Sequence, residues 1–300
     1  MRPKGPAGPT LGLDDRPPGR GVHRFSHEAM ATVFEVRCAH ADARYAAQAA
    51  HAAFALVDRL EQELSRFLEN SDIARVNHLA AGQATRVSPS TMACLEIAWH
   101  VHGLTGGAFD ASIGSGLHRL ELDPGEFTVH ARECGARLDL GGIGKGYAVD
   151  RVAALLEEWG IPRALVHGGY SSVLALEPPA EQDGWPLTLS LPGSGGVLAR
   201  VSARQRAFSA SGVRKGEHIL DPRTGLPAHG RRAAWVAVPR EDEGAAAVAD
   251  ALSTAFMIQP AEEVAGLCGR SPGLEAWIVP EPGDSCPEGP GLLHLGLKRS

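Results

Sequence analysis

Apolar and polar side chains alternate from Thr32 to Cys38, the two-residue period of a half-buried strand. The period then lengthens: Ala46, Ala50, Phe54, Val57 and Leu64 recur at helical spacing within Ala43–Phe67. A second helix is predicted from an N-cap at Ser90 to about His102, stopped by Gly103 and Gly106-Gly107 and followed by a loop. Val129–Leu140 reads as strands, Lys145–Trp159 as a helix, and Ala164–Gly169 as a strand running into a turn. Short strands continue to Ile219, broken by Pro178-Pro179, Pro192-Gly193 and Gly195-Gly196. A strand at Ala234–Val238, helices at Glu243–Ile258 and Ala261–Cys268, and a last strand at Leu274–Val279 complete the pattern. Helices mixed with hairpin-spaced strands, and no internal repeat, predict an α+β fold with a mixed, largely antiparallel β-sheet core flanked by helices.

Composition sets the limits of that unit. Residues 1–22 hold five Pro and five Gly with few large apolar side chains, the signature of a disordered lead, and 281–300 form another Pro/Gly-rich tail. The folded domain is therefore expected over 23–280. A net charge of −6 gives no electrostatic case for nucleic acid. The five cysteines are widely spaced, without a Cys-x-x-Cys pair, and the thirteen histidines show no ligand spacing, which argues against a disulfide frame or a zinc site. No apolar stretch reaches membrane-spanning length and the N-terminus has no signal-type apolar region, so the chain reads as cytoplasmic.

The chemistry is concentrated in four segments. Leu138–Asp150 packs glycines, Lys145 and two acids between a strand-like and a helix-like stretch, the composition that lets backbone N–H groups and a helix N-terminus approach a phosphate. It is not a P-loop, because Asp139 and Gly146 stand where Gly and Ser or Thr are required. Nor is it a dinucleotide fingerprint, since Tyr147 occupies a required glycine position. His218–Gly225 places an imidazole and Asp221 in a Pro/Gly-delimited turn, readable as a general base or simply as an Asx-type turn. Asp250 and Thr254, four apart on one helix, offer hard oxygens suited to Mg²⁺, or a threonine bonded back into its helix beside an exposed or capping aspartate. In Gly106–Gly114, Phe109 could line an apolar slot and Asp110 bond a ring or sugar hydroxyl, although a loop with one buried anchor accounts for it equally. Gly168–Ser172 reads as a turn, and Ser209–Gly212 as a serine-rich turn with no base implied beside it.

Seven pieces in order, His27–Thr32, Ser65–Asn77, Gly107–Asp110, Leu138–Asp150, Ser211-Gly212, His218–Gly225 and Asp250–Thr254, resemble the FAD:protein FMN transferases, formerly described as thiamin-biosynthesis lipoproteins. The resemblance runs from about His27 to Ile278. It implies an enzyme that splits FAD at its diphosphate and joins FMN to a Thr or Ser hydroxyl of an acceptor protein, with Mg²⁺ required and AMP released. It further implies that Met30, Phe67, Ala108, Phe109, Asp110, Asp139, Lys145 and Ile219 contact FAD, that His218 is the base, and that the Gly142 carbonyl, Asp250 and Thr254 hold the metal.

The chain departs from the family pattern in places. Met30-Ala31-Thr32 replaces the usual Met-Gly-Thr, Phe67 stands where Tyr is common, and the connections from Gly116 to Leu138 and from Gly212 to His218 are short. Many relatives are exported lipoproteins, whereas this chain shows neither signal peptide nor lipidated cysteine motif. Two other readings stay open: an FAD pyrophosphatase or FAD-binding protein without an acceptor, and a flavin-binding scaffold without turnover.

Overall fold

The computed structural model describes residues 10–13, 21–191, 197–212, 219–240, 244–281 and 291–296. In chain order the strands are β1 (Thr10–Leu13), β2 (Val22–Ala29), β3 (Thr32–Ala39), β4 (Ala84–Arg86), β5 (Leu120–Asp123), β6 (Thr128–Ala131), β7 (Ala164–Gly168), β8 (Ser172–Ala175), β9 (Trp185–Ser190), β10 (Val197–Ala203), β11 (Arg206–Gly212), β12 (Arg231–Pro239), β13 (Glu275–Pro280) and β14 (Leu293–Leu295). The helices are α1 (Ala43–Leu64), α2 (Asp72–Asn77), α3 (Pro89–Leu104), α4 (Gly144–Glu158), α5 (Ala245–Ala255) and α6 (Ala261–Arg270).

An eight-stranded sheet, ordered β14-β13-β12-β11-β8-β7-β3-β2, divides the molecule. Every pairing between neighbouring strands in it is antiparallel. One face carries Phe34, Val36, Val166, Leu174 and Val236 against α1, α4 and α5, forming the larger core. The other face carries Leu165, Val173, Phe208, Trp235 and Trp277 against a three-stranded sheet ordered β1-β9-β10. Alternation along each strand therefore feeds two cores, as an antiparallel sheet covered on both faces requires. The expected α+β class is observed in this three-layer form.

Helix starts follow local chemistry. Asp42 caps α1 by accepting from Arg44 and Tyr45 N–H at 2.8 and 3.1 Å, and these bonds, the Tyr45 bond foremost, lower the Asp42 pKa. The second long helix begins earlier than Ser90: Ser88 accepts from Thr91 N–H, and Pro89 occupies the first helical position, where its missing N–H costs nothing.

Three expectations are corrected. Within the lead read as disordered, Thr10–Leu13 form β1, with Leu11 fully buried and its N–H donating to the Tyr170 carbonyl at 2.8 Å. Ser209–Gly212 is the end of strand β11, not a turn. Of the stretch Val129–Leu140 only Val129–Ala131, the end of β6, is strand. Leu138 is instead held at both its N–H and carbonyl by the Asn77 side-chain amide, at 2.6 and 2.9 Å, and Asp139 N–H donates to the Ala111 carbonyl at 2.7 Å. One side chain thus replaces the partner strand. Among the described residues no helix is long and apolar enough to cross a membrane.

Candidate functional site

Helices α4 and α5 cross at Gly146, where an added Cβ would lie 2.1 Å from the Ala246 carbonyl oxygen. Only glycine permits that approach, and this accounts for the missing P-loop hydroxyl at position 146. Bare Gly146 also presents its N–H to the buried Asp250 carboxylate at 3.0 Å. The crossing is clamped reciprocally. Asp150 on α4 accepts from Ala246 and Ala247 N–H, at 2.9 and 2.8 Å, in the first turn of α5. Burial raises the Asp150 pKa to about 7 against those two hydrogen bonds.

Asp250 is 3% exposed, so it is not the free or capping aspartate allowed by sequence. One carboxylate oxygen accepts from Ser209 Oγ at 3.0 Å, and the other lies 3.6 Å from Lys145 Nζ. Ser253, not Thr254, makes the short bond back into the helix, 2.8 Å to the Asp250 carbonyl. Thr254 Oγ1 is 3.5 Å from that carbonyl and 3.2 Å from Ser211 Oγ. A Cβ on Gly142 would lie 3.5 Å from Thr254 Oγ1 and 3.3 Å from the Phe109 ring, so the glycine loop, the hydroxyl and the aromatic close on one corner.

That corner is the floor of a cavity of about 700 Å³. It opens between the β2–β3 turn, the α3–β5 loop, the start of α4, the β7–β8 turn and the end of α5. Met30, Ala108, Phe109, Asp110, Asp139, Gly142, Lys145, Ile219, Asp250 and Thr254 all line it. Phe67 does not. It is 77% exposed and borders a smaller adjoining space of about 240 Å³, its ring lying 4.2 Å beneath the Arg66 guanidinium. His218 lies outside the described residues, while its neighbour Ile219 is in the cavity wall.

Two of the acids are committed locally. Asp110 accepts from Ser112 N–H, Ser112 Oγ and Gly114 N–H, at 2.7, 2.7 and 3.1 Å, and so shapes its own loop. Gly114 has φ +76°, and a Cβ there would stand 2.7 Å from the Pro222 carbonyl oxygen. The Asp110 loop and the Pro222 turn therefore meet backbone to backbone. Asp221 accepts from Arg223 N–H at 3.0 Å and pairs with its guanidinium, which lowers the Asp221 pKa and makes this segment the Asx-type turn.

No site role was read from sequence for Arg66, Gly169, Ser171 or Ser211, which also line the cavity, nor for Ser209, which orients Asp250, although each lay in a segment read as a family-like piece or a turn. Gly168–Ser172 is a turn as read, but one that faces the cavity. The signal for Ser209 and Ser211 lay in strand alternation, since both point to the helical side of β11. Among the described residues no three His, Cys, Asp or Glu side chains cluster to hold a metal. The available set is one carboxylate, the Thr254 hydroxyl and the Gly142 backbone. These donors fit a hard cation that completes its shell with water and ligand phosphate.

Fold and cleft define a class: a three-layer α+β protein whose ligand cavity opens where a glycine-rich loop enters a helix beside the sheet. The chain belongs to the ApbE family, whose sequence model matches residues 30–118 and 115–278. A relative from Treponema pallidum named FAD:protein FMN transferase is 29% identical over 278 residues, covering 75% of each chain. Another of that name, from Salmonella typhimurium, is 25% identical and covers 86% of this chain and 84% of its own. Among solved structures, the flavin transferase ApbE from Vibrio cholerae superposes with a TM-score of 0.76 at 19% identity, covering 91% of this chain and 96% of that one. The ApbE protein from Thermotoga maritima gives 0.77 at 23% identity, covering 91% and 97%. At such identities the solved structures establish the fold alone.

Proposed function

We propose that this chain transfers the FMN portion of FAD to a Thr or Ser hydroxyl of an acceptor protein, releasing AMP, and that it requires Mg²⁺. Its family membership and the name carried by its relatives support flavin transfer. The observation that carries the finer reading is the corner where Asp250, Thr254, Gly142 and Lys145 converge at the floor of a nucleotide-sized cavity.

In this reading the acceptor oxygen attacks the phosphorus of the FMN phosphate. The bond from that phosphorus to the bridging oxygen breaks, and AMP departs with the bonding electrons. His218 takes the proton from the attacking hydroxyl near neutral pH. Asp250, Thr254 and the Gly142 carbonyl are the groups that would hold Mg²⁺, which would supply positive charge against the developing charge of the leaving phosphate. Ser209 and Gly146 N–H fix the Asp250 carboxylate, so its orientation is set before ligand arrives. Lys145, fastened to the Gly141 carbonyl at 3.2 Å, supplies a positive charge at the helix start. Met30, Ala108, Phe109 and Ile219 offer apolar surface to the flavin or adenine ring, and Asp110 and Asp139 offer acceptors to hydroxyl or ring N–H groups. Little covalent work falls to the protein; positioning and charge stabilisation supply the rate.

The test is AMP release from FAD in the presence of an acceptor, measured beside equilibrium FAD binding. His218→Ala is expected to bind FAD almost normally and to release AMP at least a hundredfold more slowly, within the range of lost general-base catalysis of roughly 10²–10⁴. Weakened FAD binding with unimpaired turnover would give His218 a binding role instead.

A further inference from the structure

The larger cavity and the smaller space beside it are two lobes of one cleft, sharing Met30, Ala31, Arg66, Asp139, Gly141 and Lys145 as a common wall. The cationic side chains lining both lobes are the same pair, Arg66 and Lys145. Lys145 is turned toward Asp250 and the Gly141 carbonyl. Arg66 is held differently. Its Nε lies 2.7 Å from Asp139 Oδ2 and its guanidinium covers the Phe67 ring at 4.2 Å, which fixes the plane of the group. Among the described residues its terminal amino groups have no other partner, and the side chain is 44% exposed.

Resting on the flavin-transfer reading, we propose that Arg66 is a diphosphate-binding residue, and that the ligand lies with one ring system in each lobe. FAD joins two ring systems through a diphosphate, and the cleft joins two lobes through a wall that concentrates its positive charge. Away from the shared wall the charged side chains lining the larger lobe are Asp110 and Asp250, so without metal the positive charge offered to a diphosphate is that of Arg66 and Lys145. At the wall, the free edge of the guanidinium can donate two parallel N–H bonds to phosphoryl oxygens, a geometry that lysine cannot reproduce. Phe67, held under the same guanidinium, then forms the aromatic wall of the smaller lobe.

The experiment is equilibrium binding of FAD, ADP and riboflavin to the full chain without Mg²⁺, by titration calorimetry. Wild type is compared with Arg66→Ala, Arg66→Lys and Arg66→Gln, each checked for an unchanged thermal midpoint. Arg66→Ala is expected to weaken FAD and ADP roughly ten- to a hundredfold, the equivalent of one charge-assisted hydrogen-bonding group, and to leave riboflavin unchanged. Arg66→Lys should recover part of that loss and Arg66→Gln less. An equal loss for riboflavin would make Arg66 a prop for the wall and overturn the proposal, as would unchanged FAD binding in Arg66→Ala. In that last case the flavin-transfer reading survives, because wild type still binds FAD. A wild-type chain that binds no FAD either without or with added Mg²⁺ overturns both.

Discussion

Met30 and Ala31 turn the chain from β2 to β3 with φ of +50° and +56°, left-handed values that cost an L-residue with a side chain about 1–2 kcal/mol. A two-residue hairpin turn of this hand prefers glycine at its second position, and Ala31 stands there at the rim of the cleft. Ala31→Gly is expected to stabilise the fold by up to about 1 kcal/mol, the strain relieved less the extra entropy of the unfolded glycine. A urea midpoint that does not rise would show the turn to be unstrained. Asp250 has the opposite character, a buried carboxylate satisfied by Ser209 and Gly146. Truncating it to Ala would orphan both donors at about 1–3 kcal/mol each, so the informative change is Asp250→Asn. That variant is expected to fold and to lose Mg²⁺-dependent AMP release by about a hundredfold or more, the scale of a metal's contribution to charge stabilisation. Unchanged turnover at limiting Mg²⁺ would remove Asp250 from the metal site.

At the scale of elements, the site depends on how α4 and α5 cross. Gly146→Ala would drive a methyl group into the Ala246 carbonyl, and the helices must part. A loss of about 1–3 kcal/mol or more is expected in denaturant melts, with weaker FAD binding, because Asp250 moves with α5. Asp150, which ties the first turn of α5 to α4, gives a pH signature. Its folded pKa of about 7 lies above the usual carboxylate value, so between about pH 4 and pH 7 the folded state keeps a proton that the unfolded chain has lost. The stabilisation from this group is complete below about pH 4 and declines as pH rises toward 7. Asp150→Asn has no such slope, so the stability advantage of wild type over the variant should shrink between about pH 4.5 and pH 7.5. An advantage that grows with pH would mean that the two N–H bonds outweigh burial. The same elements separate what sequence could tell from what it could not. The long helices α1, α4 and α5 were legible to within a few residues because each buries a continuous apolar stripe. Strand β2 was not, because it is a sheet edge whose His, Arg, Ser and Glu side chains alternate with few apolar ones. Helix α2, at six residues, is too short to show a period, and the Leu138 segment has no partner strand because the Asn77 side chain takes up its N–H and carbonyl, a contact 61 residues away in sequence.

For the whole molecule, the parts of the site that carried a local composition signal were legible: the glycine loop, the Asp250/Thr254 face and the Phe109-Asp110 loop. What was hidden is what the sheet order brings together. Ser209 and Ser211 reach Asp250 and Thr254 only because β11 runs beneath α5, and Arg66 reaches Asp139 only because the end of α1 lies beside the Leu138 segment. A cleft assembled from so many separate segments should be stabilised as a unit by its ligand. FAD with Mg²⁺ at about a hundred times the dissociation constant is expected to add about 2.7 kcal/mol to the unfolding free energy, and Mg²⁺ alone much less, since one carboxylate holds it poorly. Passage of the phosphate of FMN to a protein hydroxyl is read out by intact mass. The chain is incubated with FAD, Mg²⁺ and an acceptor domain exposing a Thr, and the acceptor is weighed while AMP is measured. The acceptor is expected to become heavier by one phosphoester-linked FMN, with one AMP released for each. AMP released with the acceptor unchanged in mass would contradict it and make water the attacking nucleophile.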